Sequence, residues 1–169
     1  MLFRRLLLVS LLCGVSFVHA AEPASLSEPK GKVVLTIKGN IGAKNRGNEA
    51  ALDMNMLSTL PQHTFTTNTP WSKVPVKFTG PKLVDVLKLV RAKGTSIKAS
   101  AINDYHITIP AEDATRFDVV VARLINDQPI PVREKGPLFV IYPFDSSADL
   151  RTSTYYERSI WQLKSLDIQ

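Results

Sequence analysis

Cysteine is nearly missing from this sequence. Of 169 residues one is cysteine, and that residue, Cys13, lies within the first 20 positions. Residues 14–169 therefore offer no disulfide, no CxxC pair and no thiolate for metal or nucleophilic chemistry. Histidine is thin as well. Three are present, and beyond position 20 only His63 and His106 remain, with no HExxH between them, so a zinc centre has no ligand set in the pattern. There is no GxSxG, no GxGxxG and no GxxxxGK[ST] run, and the local cues of hydrolase elbows, dinucleotide folds and P-loops are absent. A Ser/His/Asp set drawn from distant positions stays open, but nothing signals one. Basic clusters are also lacking. The 21 Lys and Arg are scattered among 15 Asp and Glu, and no run of them builds a nucleic-acid groove.

What the chain does have begins with an export pattern. Arg4 and Arg5 form a positive end, residues 6–18 an apolar core, and Ala20 a small residue suited to signal peptidase. This predicts a cleavable signal peptide over residues 1–20 and a periplasmic location. A bilayer span needs about 20 apolar residues, more than this core supplies. Cys13 opens a lipoprotein alternative, but Leu11 and Leu12 before it suit that peptidase poorly. Removing the signal leaves 19 basic against 15 acidic residues, a net charge of +4. Residues 21–31, with two prolines and two serines, read as a flexible leader, and residues 32–169 as a single domain. A chain of that size buries about 70% of its unfolded surface without disulfides.

Within the domain, residues 33–37 are β-branched and predict the first strand. Residues 40–48 carry the glycines and asparagines of a loop. Leu52, Met56, Leu57 and Leu60 recur near helical spacing, up to Pro61. Residues 64–76 are extended and threonine-rich. The strongest helix is expected next, capped by Thr79, with Pro81 in its first turn, an apolar face of Leu83, Val84, Leu87 and Val90, and Gly94 as its stop. The second half reads as β: an alternating strand through Tyr105, Ile107 and Ile109, apolar runs at 119–125 and 138–142, and Asn126-Asp127 as a turn. Residues 144–156 read as polar and irregular. A final strand is expected over 160–168, with a slip in alternation that predicts a bulge near Ser165. The sum is an α+β domain, mainly β, with one good helix.

Several segments together carry a resemblance. They are Thr67-Asn68-Thr69-Pro70-Trp71, Phe78-Thr79-Gly80, Asn103-Asp104-Tyr105, the run from Arg133 through Lys135 and Gly136 to Leu138 leading into Tyr142-Pro143, and Arg158-Ser159-Ile160-Trp161-Gln162-Leu163. In this order they resemble the oxidoreductase molybdopterin-binding domain, the sulfite oxidase fold, over about residues 33–168. More narrowly, the chain is similar to short exported members made of this domain alone. The resemblance implies a molybdenum-holding cysteine just before the tryptophan. The matching position here is Thr67, and a neutral hydroxyl is a poor substitute for a soft thiolate. What it then implies is a module that binds a metal-free pterin and contacts the extracytoplasmic part of a membrane signalling protein, such as a cyclic-di-GMP enzyme or a sensor kinase. The alternative is a small molybdenum-cofactor-dependent oxidoreductase or its subunit, with molybdopterin as the cofactor.

A pterin needs a plane to stack on and partners for its polar edge. Candidate planes are Trp71, Tyr105 and Trp161. Candidate edge partners are Thr67, Asn68, Asn103 and Asp104, while Arg133, Lys135 and Arg158, with Gly136 in the same loop, suit polar substituents. Each has a plain competitor. Tyr105 shares a face with Ile107 and Ile109, Trp161 lies in an alternating stretch that reads equally as core, Asp104 suits a turn, and Arg133 and Lys135 suit a solvated loop.

Overall fold

The computed structural model describes residues 26–169. The expected signal peptide and the first five residues of the expected leader lie outside the described residues. Of that leader, residues 26–31 have no regular structure, yet Leu26 packs on the core and the Gly31 N–H donates to Asp53 Oδ2 at 2.7 Å.

The first half of the domain contains β1 (Val33–Gly39), β2 (Ala50–Asp53), α1 (Met54–Thr59), β3 (Gln62–Thr67), β4 (Val76–Pro81) and α2 (Leu83–Leu89). The second half contains β5 (Ser96–Ala101), β6 (His106–Pro110), α3 (Asp113–Arg116), β7 (Val120–Ala122), β8 (Leu124–Ile125), β9 (Gln128–Pro129), β10 (Phe139–Ile141), α4 (Ser153–Arg158) and β11 (Leu163–Ile168). Two 3₁₀ turns, Phe144–Ser146 and Ala148–Leu150, precede α4. This is an α+β domain dominated by strands.

The main sheet has the order β2-β1-β11-β5-β6, with β1 and β11 parallel and the other neighbours antiparallel. A second sheet runs β3-β4-β8-β9, and β7 pairs with β10. Alternation explains the main sheet. Ile97, Ala99 and Ala101 of β5 are buried while Ser96, Lys98 and Ser100 between them are not, so one face meets the core. In β11 the buried residues are Leu163, Leu166 and Ile168, an uneven spacing for a period of two. The register absorbs it: Leu163 pairs with Ala101 and Ser165 with Ser100, a bulge where the sequence predicts one. The apolar runs become β7 and β10, buried along their whole length, as expected of strands covered on both faces. Asn126 and Asp127 join β8 to β9 with φ of 49° and 65°, the left-handed pair that a two-residue hairpin requires.

The structure differs from expectation at five places. Leu52 belongs to β2 and not to the helix of Met56 and Leu57, because Asp53 after it caps α1 by accepting from Met56 N. Thr79 does not cap a helix. It lies within β4, where its hydroxyl meets that of Thr64 across the β3–β4 pair at 2.9 Å, and α2 starts at Leu83 without a side-chain cap. Cross-strand pairing outweighs the capping pattern there. Nor does Gly94 stop the helix, which ends at Leu89 with Val90 as its cap. The stretch 144–156 is not irregular throughout, since α4 begins at Ser153. The last strand starts at Leu163 and not Ile160, because Gln162 takes a left-handed φ of 51°. Among the described residues no helix is long and apolar enough to cross a membrane.

Candidate functional site

Four segments meet around a cavity of about 580 Å³. They are Pro70 and Trp71 between β3 and β4, the β5–β6 turn with Asn103 and Tyr105, helix α4, and residues 159–161 before β11. Such a volume is typical of small-molecule sites. Its walls are aromatic: Trp71, Tyr105, Tyr156 and Trp161 all line it.

Trp71 organises the floor. Its ring meets Trp161 edge-to-face at 5.5 Å and 84°, and lies 6.0 Å from Phe139, 6.1 Å from Phe144 and 6.2 Å from Tyr156. Phe139 and Phe144 are core residues, so Trp71 is rooted in the interior while its outer part faces the cavity. Lys135 Nζ stands 5.7 Å and 5.3 Å from the centres of the Trp71 and Trp161 rings, within reach of a cation–π interaction with both. Tyr105 is 48% exposed and Trp161 37%. Large aromatic surface left open in a concavity marks a place for a ligand or a partner.

Gln162 ties the mouth together. Its backbone N–H donates to Lys135 O at 2.9 Å and its carbonyl accepts from Ile102 N at 2.9 Å, while its side-chain amide donates to Val132 O at 2.7 Å. One residue thus joins the β5–β6 turn and the 131–137 loop to the start of β11.

Helix α4 is split between two tasks. Ser153, Tyr156 and Glu157, at helical spacing, face the cavity. Tyr155 and Arg158 face inward. Arg158 Nη1 donates to Asp113 Oδ2 at 2.9 Å, and the same oxygen accepts from Tyr142 Oη at 2.7 Å. Asp113 is 3% exposed and Tyr142 fully buried. Burial above all, reinforced by the Asp113 hydrogen bond and charge, holds the Tyr142 hydroxyl protonated far above its ordinary range.

Thr67 and Asn68 form a separate latch. Thr67 is 1% exposed and its hydroxyl accepts from Asp145 N at 3.0 Å. Asn68 donates its backbone and side-chain N–H groups to Asp145 Oδ2 at 2.6 and 3.0 Å. The Asn68 backbone N–H, more than any other group, holds the Asp145 carboxyl below the usual range, against a smaller opposing effect of burial.

The structure therefore gathers Trp71, Asn103, Tyr105 and Trp161 around one cavity, with Lys135 over two of the rings. Thr67, Asn68 and Arg158 stand elsewhere, spent on Asp145 and Asp113. Asp104 has a left-handed φ of 65° and points its carboxylate into solvent, 3.9 Å from Lys164, as a turn residue does. Arg133 is solvent-exposed. Gly136 serves packing, since a Cβ there would collide with the Ile130 carbonyl. Sequence reasoning missed Ser153, Tyr156, Glu157 and Ser159. A Tyr-Tyr-Glu run opposite an aromatic motif was the available cue, hidden because α4 is short and has no apolar stripe. Among the described residues no three His, Cys, Asp or Glu side chains are grouped to hold a metal.

The family profile described as oxidoreductase molybdopterin binding domain matches residues 33–147. That span includes Trp71, Asn103, Tyr105 and Lys135 and ends before α4 and Trp161. Among curated proteins none matches the chain.

Proposed function

From the premise that this chain belongs to the oxidoreductase molybdopterin-binding domain family, we propose that it is an exported module that binds a pterin without molybdenum and relays its presence to a membrane signalling protein. The family binds molybdopterin, a pterin whose organic ring and metal make separate demands on a site. The observation that carries the reading is the division between those demands here. The ring is well served, because four aromatic side chains wall one cavity and stacking on one of them is worth on the order of 1 kcal/mol. The metal is not. The residue at the thiolate position, Thr67, offers a hard neutral oxygen, and that oxygen is buried and occupied by the Asp145 N–H. The residues present fit the organic ring and do not fit the metal.

Two further features support the rest of the proposal. The pattern of residues 1–20 supports export to the periplasm. The exposed large apolar side chains Ile102, Tyr105, Val132 and Trp161 are grouped at the cavity rim through Gln162. A ring bound there would form part of the surface that the outer domain of a cyclic-di-GMP enzyme or sensor kinase touches.

Protein purified from the periplasm provides the test. A co-purifying fluorescent pterin, with molybdenum far below one per chain, is expected. Added pterin should stabilise the protein by about 2.7 kcal/mol at a hundredfold excess over Kd. Stoichiometric molybdenum would overturn the reading in favour of a small molybdenum-cofactor oxidoreductase or its subunit. Absence of any thermal shift would remove the pterin.

A further inference from the structure

Within the proposed pterin cavity, we infer that Glu157 recognises the ring's 2-amino-4-oxo-pyrimidine edge and so makes the site selective for true pterins over 2,4-dioxo analogues. This rests on the pterin reading and adds a residue and a ligand class to it. Besides the tyrosine hydroxyls and indole N–H groups, the polar side chains lining the cavity are Asn103, Ser153, Glu157 and Ser159. Ser159 spends its hydroxyl on Tyr155 O at 2.9 Å, and Asn103 Oδ1 accepts from Tyr105 N at 3.2 Å. Of the cations nearby, Arg158 turns inward to Asp113 and Lys135 lies over the indoles.

Glu157 is the one carboxylate in the lining, and its side chain enters no hydrogen bond or salt bridge among the described residues. Its place on α4 is fixed from behind, because its neighbour Arg158 is anchored on buried Asp113. A carboxylate presents two acceptors side by side, which two parallel N–H donors satisfy together. The pterin edge has that pair in N3–H and the 2-amino group. Lumazine, the same bicycle with oxygen at position 2, sets a lone pair against one carboxylate oxygen and is disfavoured. The aromatic walls stack both rings alike, and hydroxyls or amides such as those of Ser153 and Asn103 can turn a donor or an acceptor to either edge, so discrimination falls to Glu157, whose carboxylate only accepts.

The test compares pterin and lumazine binding, read by quenching of ligand fluorescence, in the full chain and in Glu157→Gln. The parent should prefer pterin by about tenfold, the scale of one charge-assisted hydrogen bond at a partly open site. In Glu157→Gln pterin affinity should fall by about that factor, lumazine affinity should hold or rise, and the preference should vanish. Glu157 is exposed on a helix surface, so the melting temperature should not change. A variant that binds both rings yet keeps the parent's preference overturns the assignment and leaves the cavity reading standing. A parent that binds both rings equally also overturns it. A parent that binds neither ring overturns the pterin reading itself, and the assignment falls with it.

Discussion

Replacing Asp113 by alanine should damage this protein more than any single change on its surface. One carboxylate oxygen receives both the Tyr142 hydroxyl at 2.7 Å and the Arg158 guanidinium at 2.9 Å, and Tyr142 has no exposure to water. Asp113→Ala strands a buried hydroxyl and leaves a largely buried cation unpaired, which together cost about 3–5 kcal/mol. Tyr142→Phe is milder, because it removes one donor and leaves Asp113 its arginine, at about 1.5 kcal/mol. Adding Tyr142→Phe to Asp113→Ala removes the stranded hydroxyl, so the double variant should lose about 1–2 kcal/mol less than the two singles together. Urea midpoints at unchanged slope measure all three. Pterin affinity should fall in Asp113→Ala as well, since Tyr156 and Glu157 ride on the helix that Arg158 anchors. A cost below about 1 kcal/mol for Asp113→Ala, or strict additivity, would refute the view that this network holds α4 in place.

Trp71→Ala should weaken pterin binding about fivefold to tenfold, the loss of one stacking plane, and unchanged affinity in a titration would place the ring elsewhere. Lys135→Met should cost about 0.5–1 kcal/mol, the scale of an exposed cation–π contact, with an altered tryptophan emission as the direct readout. Acid should loosen the Thr67–Asn68–Asp145 latch. The folded pKa of Asp145 is depressed, so its contribution is present above the unfolded value of about 3.9 and is lost as pH falls through the lower folded one. Asp145→Asn should flatten that part of the pH–stability curve, and an unchanged acid limb would show that the latch contributes nothing. Asp53, held low chiefly by the Met56 backbone N–H and then by that of Gly31, contributes with the same sign.

The parts of the fold that alternation or turn chemistry dictates were legible in the residues themselves. The β11 bulge followed from a slip in alternation near Ser165, and the turn after β8 from Asn126-Asp127, though not the short strand β9 beyond it. The start of α2 was not legible, because Thr79 and Pro81 suit a helix end as well as a strand, and only pairing with Thr64 decides between them. At the site, Trp71, Asn103, Tyr105 and Trp161 stood out through their motifs. Glu157 and Tyr156 did not, because a helix of six residues with one face on a cavity and the other on a buried carboxylate shows no period. Arg158 carried a charge that suits a ligand, and nothing local revealed that Asp113, far away in sequence, had already claimed it.

The placement of β11 bears on how the chain is made. Residues 163–168 fill the gap between residues 33–39 and 96–101, so the widest layer cannot close while the ribosome has yet to deliver them. Until then residues 33–39 and 96–101 each keep one open edge, their other edges being paired with β2 and β6. An open edge is a template for stray pairing, so both edges stay exposed to it for as long as residues 163–168 are missing.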